Sequence, residues 1–196
     1  MRQGTIDRKT NETEVSVALI LEGQGKANID TGIGFLNHML ELLAYHGCFD
    51  LAIRCKGDTQ VDDHHSVEDI GIALGMAFTE ALGNKAGIAR YGNFLLPMDE
   101  ALVLCAVDLS GRDALGYQVQ IPSEKVGAFD TELVQEFMLA LARNLKASLH
   151  FYQMAGQNSH HIIEAMFKGL GRALRQAVAV DPGRAGETPS SKGVLA

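Results

Sequence analysis
The sequence predicts an α+β protein made by internal duplication of a ββαβα half, giving two small sheets with helices packed between them. Two observations carry this. A phrase of two histidines and a glutamate, His64-His65-Ser66-Val67-Glu68, is answered by His160-His161-Ile162-Ile163-Glu164. The order of alternating and helical stretches around each copy is also the same. A self-similar period of this kind marks a repeated structural unit. The halves are expected to divide as 1–95 and 96–196, with the second carrying a polar tail, the two forming one functional unit.

Val15, Val17, Leu19 and Leu21 alternate with polar residues from Glu14 to Glu22, as in a half-buried strand. Gly23-Gln24-Gly25 turns the chain, and Lys26 to Thr31 is expected to return beside it. Gly34 to His46 carries Phe35, Met39, Leu42 and Leu43 at helical spacing. Leu51 to Cys55 reads as a short strand. Asp62 or Asp63 can cap the helix that opens near His64, whose stripe is Val67, Ile70, Leu74, Ala77 and Ala81, and Gly83 stops it. The second half gives a strand over Ala101 to Leu109, a turn at Ser110-Gly111-Arg112 and a return over Leu115 to Ile121. It continues with a helix from Thr131 to Leu145 and a strand over Ala147 to Gln153. A last helix, capped by Asn158 or Ser159, runs from His160 to about Val178.

Composition excludes several classes of function. A net charge of −7 argues against nucleic acid as the main partner. No apolar run approaches the roughly 20 residues of a membrane span, and Met1-Arg2-Gln3-Gly4-Thr5 has no secretory character. Cys48, Cys55 and Cys105 are an odd number without metal-type spacing, which suits reduced thiols in a cytoplasmic protein.

The histidine phrases carry the chemistry. Imidazole and carboxylate three or four positions apart share one helix face and can meet one cation. Adjacent histidines cannot, because neighbours diverge by roughly 100° around the axis. Each phrase therefore serves two metal ions, or one ion and another subunit. The repeat adds His38 on the first helix and Glu136 on the matching helix, since Leu36-Asn37-His38-Met39-Leu40 aligns with Val134-Gln135-Glu136-Phe137-Met138. The candidate ligands are then His38, His64, His65, Glu68, Glu136, His160, His161 and Glu164, four for each of two ions. Nitrogen and carboxylate donors without cysteine suit Mn²⁺, Fe²⁺ or Zn²⁺. His46, two helical turns after His38, either faces the same cavity or caps its helix end. Pro189-Ser190-Ser191-Lys192-Gly193 can wrap a phosphate. Arg90 and Arg112 add cations near turns, and Lys168 lies one turn beyond Glu164.

Several stretches together resemble the imidazoleglycerol-phosphate dehydratase family, the lyases of histidine biosynthesis. They are Arg8-Lys9-Thr10-Asn11-Glu12-Thr13, the run from Thr31 to Leu40, Asp62-Asp63-His64-His65-Ser66-Val67-Glu68-Asp69, Pro97-Met98-Asp99-Glu100-Ala101-Leu102, Asp108-Leu109-Ser110-Gly111-Arg112, Asn158-Ser159-His160-His161, Phe167-Lys168 and the Pro189–Gly193 tail. The resemblance covers essentially the whole chain. It implies dehydration of imidazole glycerol phosphate to imidazole acetol phosphate by a monofunctional enzyme. Two Mn²⁺ per subunit would hold an imidazolate intermediate, in a 24-subunit homo-oligomer with metal sites at subunit contacts. It further implies that Glu12, Arg90, Arg112, Lys168, Ser190, Ser191 and Lys192 bind substrate; His46 is a further substrate-binding candidate from its helix position, and Glu12, His38, His65, Glu68, His161 and Glu164 are the catalytic candidates. Two positions depart from the family pattern: many members have His where this chain has Glu136, and most have Asp at Asn37. The rival readings are a dimetal hydrolase, which would use similar ligands, and a metal-storage shell, which would need neither the Ser-Ser-Lys tail nor Glu12.

Overall fold
The computed structural model describes residues 1–195. Each half opens with an antiparallel hairpin. In the first, β1 (Gln3–Lys9) pairs with β2 (Thr13–Ile20), and β3 (Ala27–Asp30) then leads through α1 (Gly34–Gly47) to β4 (Asp50–Gly57) and α2 (His64–Leu82). The second half repeats this with β5 (Tyr91–Met98), β6 (Ala101–Asp108), β7 (Ala114–Gln118), α3 (Leu133–Leu145), β10 (Ser148–Ala155) and α4 (Ser159–Val178). A two-residue ladder, β8 (Lys125–Val126) with β9 (Phe129–Asp130), is inserted before α3. The sheet orders are β1-β2-β4-β3 and β5-β6-β10-β7, the same path traced twice.

Two details differ from the sequence reading. Each half begins with one more strand than the ββαβα pattern, because β1 and β5 are edge strands of mixed, partly charged residues, and β5 carries Pro97. Edges tolerate both features, and they hide the alternation. The second difference is pairing. β3 lies parallel to β4, and β7 parallel to β10, so neither returns beside the strand that precedes it. A parallel pair requires a crossover, and α1 and α3 supply it.

The inner face of β2 buries Thr13, Val15, Val17 and Leu19, and that of β6 buries Ala101, Val103, Cys105 and Val107. α2 packs on β1 and β2, and α4 on β5 and β6. Each then takes its helical partner from the other half: α4 packs on α1, and α2 on α3. This exchange lets residues of both halves meet. It depends on close helix crossings. A methyl group at Gly171 of α4 would sit 2.6 Å from the Leu43 carbonyl oxygen of α1, and one at the matching Gly75 of α2 would sit 2.9 Å from the Leu141 carbonyl oxygen of α3. Gly171→Ala should therefore push α1 away and cost about 1–3 kcal/mol, the usual range for overpacking. Urea unfolding measures this, and an unchanged midpoint would contradict a tight crossing.

Candidate active site
The crossing of α1 and α4 brings His38 of one half against His160 and Glu164 of the other. One ligand atom from each lies within 4.8 Å of the other two. Glu164 Oε2 is 3.1 Å from His160 Nε2 and 4.0 Å from His38 Nε2. The Asn158 side chain accepts the backbone N–H groups of His160 and His161 and so fixes the start of α4. Phe35 meets the His160 ring edge-on at 5.3 Å between centroids. Glu164 is 7% exposed. Burial alone would raise its pKa, but the ion pair with Lys168 and the adjacent His160 and His38 outweigh this and hold the carboxyl below its ordinary value. Two imidazole nitrogens and a carboxylate this close fit a divalent cation of the nitrogen–oxygen class.

His46, also on α1, belongs to this neighbourhood. Burial lowers its pKa, and the charges of Lys168 and Arg172 lower it further. Its Nδ1 is buried without a hydrogen-bond partner among the described residues, as expected of a group awaiting a polar ligand. Lys168 Nζ, besides Glu164, lies 3.5 Å from Met98 Sδ.

Adjacent histidines do diverge: the His64 and His65 rings stand at 80°, and His160 and His161 at 81°. His65 and His161 each point to acidic partners outside their own helix. His65 Nδ1 is 3.1 Å from Asp58 Oδ2, and its Nε2 is 3.8 Å from Glu12 Oε1. His161 Nδ1 is 2.7 Å from Glu100 Oε2, and its Nε2 is 3.6 Å from Asp99 Oδ2. The carboxylate hydrogen bonds raise both histidine pKa values. Glu100 is held down at about 2 by His161 and by the N–H groups of Asn158 and Gln157. Glu12 itself sits in a turn whose backbone is fixed by Thr10 Oγ1, which accepts from the N–H of Glu12 and of Thr13.

The repeat counterpart of the tight trio is Glu136 of α3 with His64 and Glu68 of α2. All three are half-buried on the crossing helices, and they do not close to the same spacing. Asn37 accepts from the N–H and hydroxyl of Thr31 and ties the β3–α1 loop, so its side chain serves the backbone there.

The predicted anion-binding residues converge elsewhere. Arg90, Tyr91, Ser110, Arg112, Ser190, Ser191 and Lys192 line one cavity of about 270 Å³. Arg90 is already engaged: it pairs with Asp108 at 2.7 Å and donates to the Pro189 carbonyl at 2.9 Å, anchoring the tail over the cavity. Arg112, Ser191 and Lys192 are exposed. Two larger hollows suit an anion less well. One of about 510 Å³ is bordered by the acidic Glu124, Asp130 and Glu132. Another of about 620 Å³ sets Asp7, Glu14 and Asp30 among its basic residues.

The two clusters lie far apart in one chain. His160 is in the first turn of α4, whereas the Arg90 N–H bonds the Ala177 carbonyl at its end. At 1.5 Å per residue the separation is roughly 25 Å.

Asp58, Asp99, Glu100 and Ser110 are not among the residues that the sequence singles out as site candidates. Asp99 and Glu100 occupy the β5–β6 turn, which has no turn signature unless β5 is recognised as a strand. Asp58 lies in a polar loop, where its carboxylate has no distinguishing signal. Ser110 belongs to a turn motif, and a hydroxyl there is ordinary.

A family model described as imidazoleglycerol-phosphate dehydratase matches residues 31–174. An imidazoleglycerol-phosphate dehydratase from Thermosynechococcus vestitus is 55% identical over 195 residues, covering 100% of this chain and 93% of the relative. One from Synechococcus elongatus is 55% identical over 194 residues, covering 99% and 93%. The crystal structure of the Staphylococcus aureus dehydratase superposes with a TM-score of 0.83 at 40% identity, covering 91% of this chain and 99% of that one. The Pyrococcus furiosus enzyme gives 0.84 at 39% identity, covering 97% and 100%. The chain thus belongs to the imidazoleglycerol-phosphate dehydratase family of hydro-lyases.

Proposed function
We propose that this protein removes water from imidazole glycerol phosphate to give imidazole acetol phosphate, in the cytoplasm, using two Mn²⁺ ions at sites shared between subunits. The observation that carries the reading is the trio His38, His160 and Glu164, a nitrogen–oxygen donor set closed within one chain. The free thiols of Cys48, Cys55 and Cys105 suit a reducing compartment.

The ligands fall into two sets of four, each drawn from both halves. His38, His160, Glu164 and His65 would hold one ion, and Glu136, His64, Glu68 and His161 would hold the other. In each set the last-named histidine points away from the rest of its own chain's ligands and reaches a neighbouring copy. When bound, the ions would supply Lewis acidity that favours loss of the imidazole N–H, so that the deprotonated ring can push electrons toward C3 while the hydroxyl leaves with that proton as water. The chain's own groups do the rest. Glu12, 3.8 Å from His65 Nε2, carries the proton taken from C2. Lys168 keeps Glu164 ionised, and the unpaired Nδ1 of His46 meets a substrate hydroxyl. Arg112, Ser190, Ser191 and Lys192 clasp the phosphate, with Arg90 holding the tail in place.

A substrate of this size cannot span roughly 25 Å. The metal trio of one copy therefore works with the anion cavity of another, which makes a homo-oligomer, proposed at 24 subunits, a condition of activity. Turnover of imidazole glycerol phosphate by the metal-stripped protein, before and after adding Mn²⁺, tests the reading. Activity should be absent before and present after. Full turnover without metal would overturn it.

A further inference from the structure
His65 and His161 have the same hydrogen-bond plan. In each, one ring nitrogen meets a carboxylate closely and the other stays more open. Nδ1 of His161 is 2.7 Å from Glu100, and Nδ1 of His65 is 3.1 and 3.2 Å from the two oxygens of Asp58. An ionised carboxylate only accepts. Nδ1 must then carry the hydrogen, and the lone pair is left on Nε2.

The two halves reach this arrangement by different routes. Glu12 and Asp99 occupy equivalent turns, β1–β2 and β5–β6, and both flank an Nε2. The Nδ1 partners are not equivalent. Asp58 follows β4, whereas Glu100 belongs to the β5–β6 turn. A bond merely left over from duplication would come from the same place twice. Two origins for one bond indicate that the bond itself is needed.

We propose that Glu100 and Asp58 are positioning residues that fix the tautomer and ring orientation of His161 and His65, so that Nε2 faces a metal ion. The proposal rests on the reading of both histidines as ligands. Carboxylates behind ligating histidines commonly act this way, and losing one costs about 10–100-fold in metal affinity.

The anchoring of the two carboxylates differs, and this sets the test. Glu100 Oε1 accepts the N–H groups of Asn158 at 2.8 Å and Gln157 at 3.2 Å, while Oε2 takes His161. In Glu100→Gln the amide oxygen must stay with those two N–H groups, so the NH₂ faces Nδ1. Nδ1 then becomes the acceptor and the hydrogen moves to Nε2, which cannot ligate. Asp58 has no such anchor, since both its oxygens face His65. Asp58→Asn can turn its oxygen to Nδ1 and keep the wild-type tautomer, whereas Asp58→Ala cannot.

The experiment is Mn²⁺ titration of the metal-stripped full-length variants, with ¹⁵N spectra of labelled histidine. Glu100→Gln and Asp58→Ala should bind Mn²⁺ about 10–100-fold more weakly, and Asp58→Asn should stay near wild type. Glu100→Gln should also show a new Nε2–H histidine while still melting cooperatively, because its contacts to the start of α4 survive as neutral hydrogen bonds. Wild-type affinity in Glu100→Gln overturns the positioning role. His161→Ala separates the two levels: if it keeps full Mn²⁺ affinity, the ligand reading itself fails and the positioning role falls with it. If it loses affinity while Glu100→Gln does not, only the positioning role is lost.

Discussion
Glu164→Gln is expected to weaken Mn²⁺ binding by at least about 100-fold and to take turnover down with it at limiting metal. The substitution keeps the shape of a buried side chain and removes its charge. It leaves Lys168, whose side chain is 17% exposed, beside a neutral amide. Removing one partner of a buried charge pair costs about 3–5 kcal/mol of folding stability, which is a separate effect from the loss of a metal ligand. Losing a direct ligand should cost at least the upper end of the about 10–100-fold in metal affinity that losing a partner behind a ligand costs. The double variant Glu164→Gln, Lys168→Met separates the causes. Removing the stranded ammonium should recover thermal stability without recovering Mn²⁺ affinity. If Glu164→Gln alone binds Mn²⁺ as tightly as wild type, the carboxylate serves the lysine and not a metal.

Glu164 is legible as a ligand candidate in the amino-acid sequence and Glu100 is not, which shows where sequence reasoning works. Periodicity within one helix is local. His160 and Glu164 are four apart, and the repeat points to His38 as an addition to the set. The divergence of adjacent histidines follows from helix geometry alone, and the rings stand at 80° and 81°. The buried faces of β2 and β6 are readable for the same reason, as is the Ser190–Lys192 tail, a chemically dense patch in a plain segment.

What stays hidden depends on partners distant in sequence. The parallel pairing of β3 with β4 cannot be told from a hairpin by alternation, because strand existence and strand pairing are separate questions. Edge strands β1 and β5 lose their pattern to polar and proline residues, and with β5 goes the turn that holds Asp99 and Glu100. The exchange of helical partners between halves, α1 with α4 and α2 with α3, brings His38 to Glu164. It depends on close crossings at Gly171 and Gly75, and a lone glycine in a helix gives no such signal. The opposite-end placement of the anion cavity is unreadable for the same reason. It follows from backbone contacts between residues 87–90 and the end of α4, Arg90 with Ala177, Ala89 with Ala179 and Gly87 with Asp181.

The central claim is that an active site combines the metal trio of one subunit with the anion cavity of another. Two variants disable these parts separately. His160→Ala breaks the trio. Arg112→Ala with Lys192→Ala strips the cavity of its two exposed cations, each charge-assisted contact being worth about 1.5–3 kcal/mol, so at low substrate the second variant is also nearly silent. Co-expression with two affinity tags and sequential purification yields mixed oligomers. With random mixing, about a quarter of the subunit contacts pair an intact trio with an intact cavity. The decisive measurement is the low-substrate activity of these mixed oligomers with saturating Mn²⁺. The account predicts recovery to about a quarter of the wild-type rate, far above either parent. Activity no greater than the sum of the parents would mean that each site lies within one chain, and the composite site would be wrong.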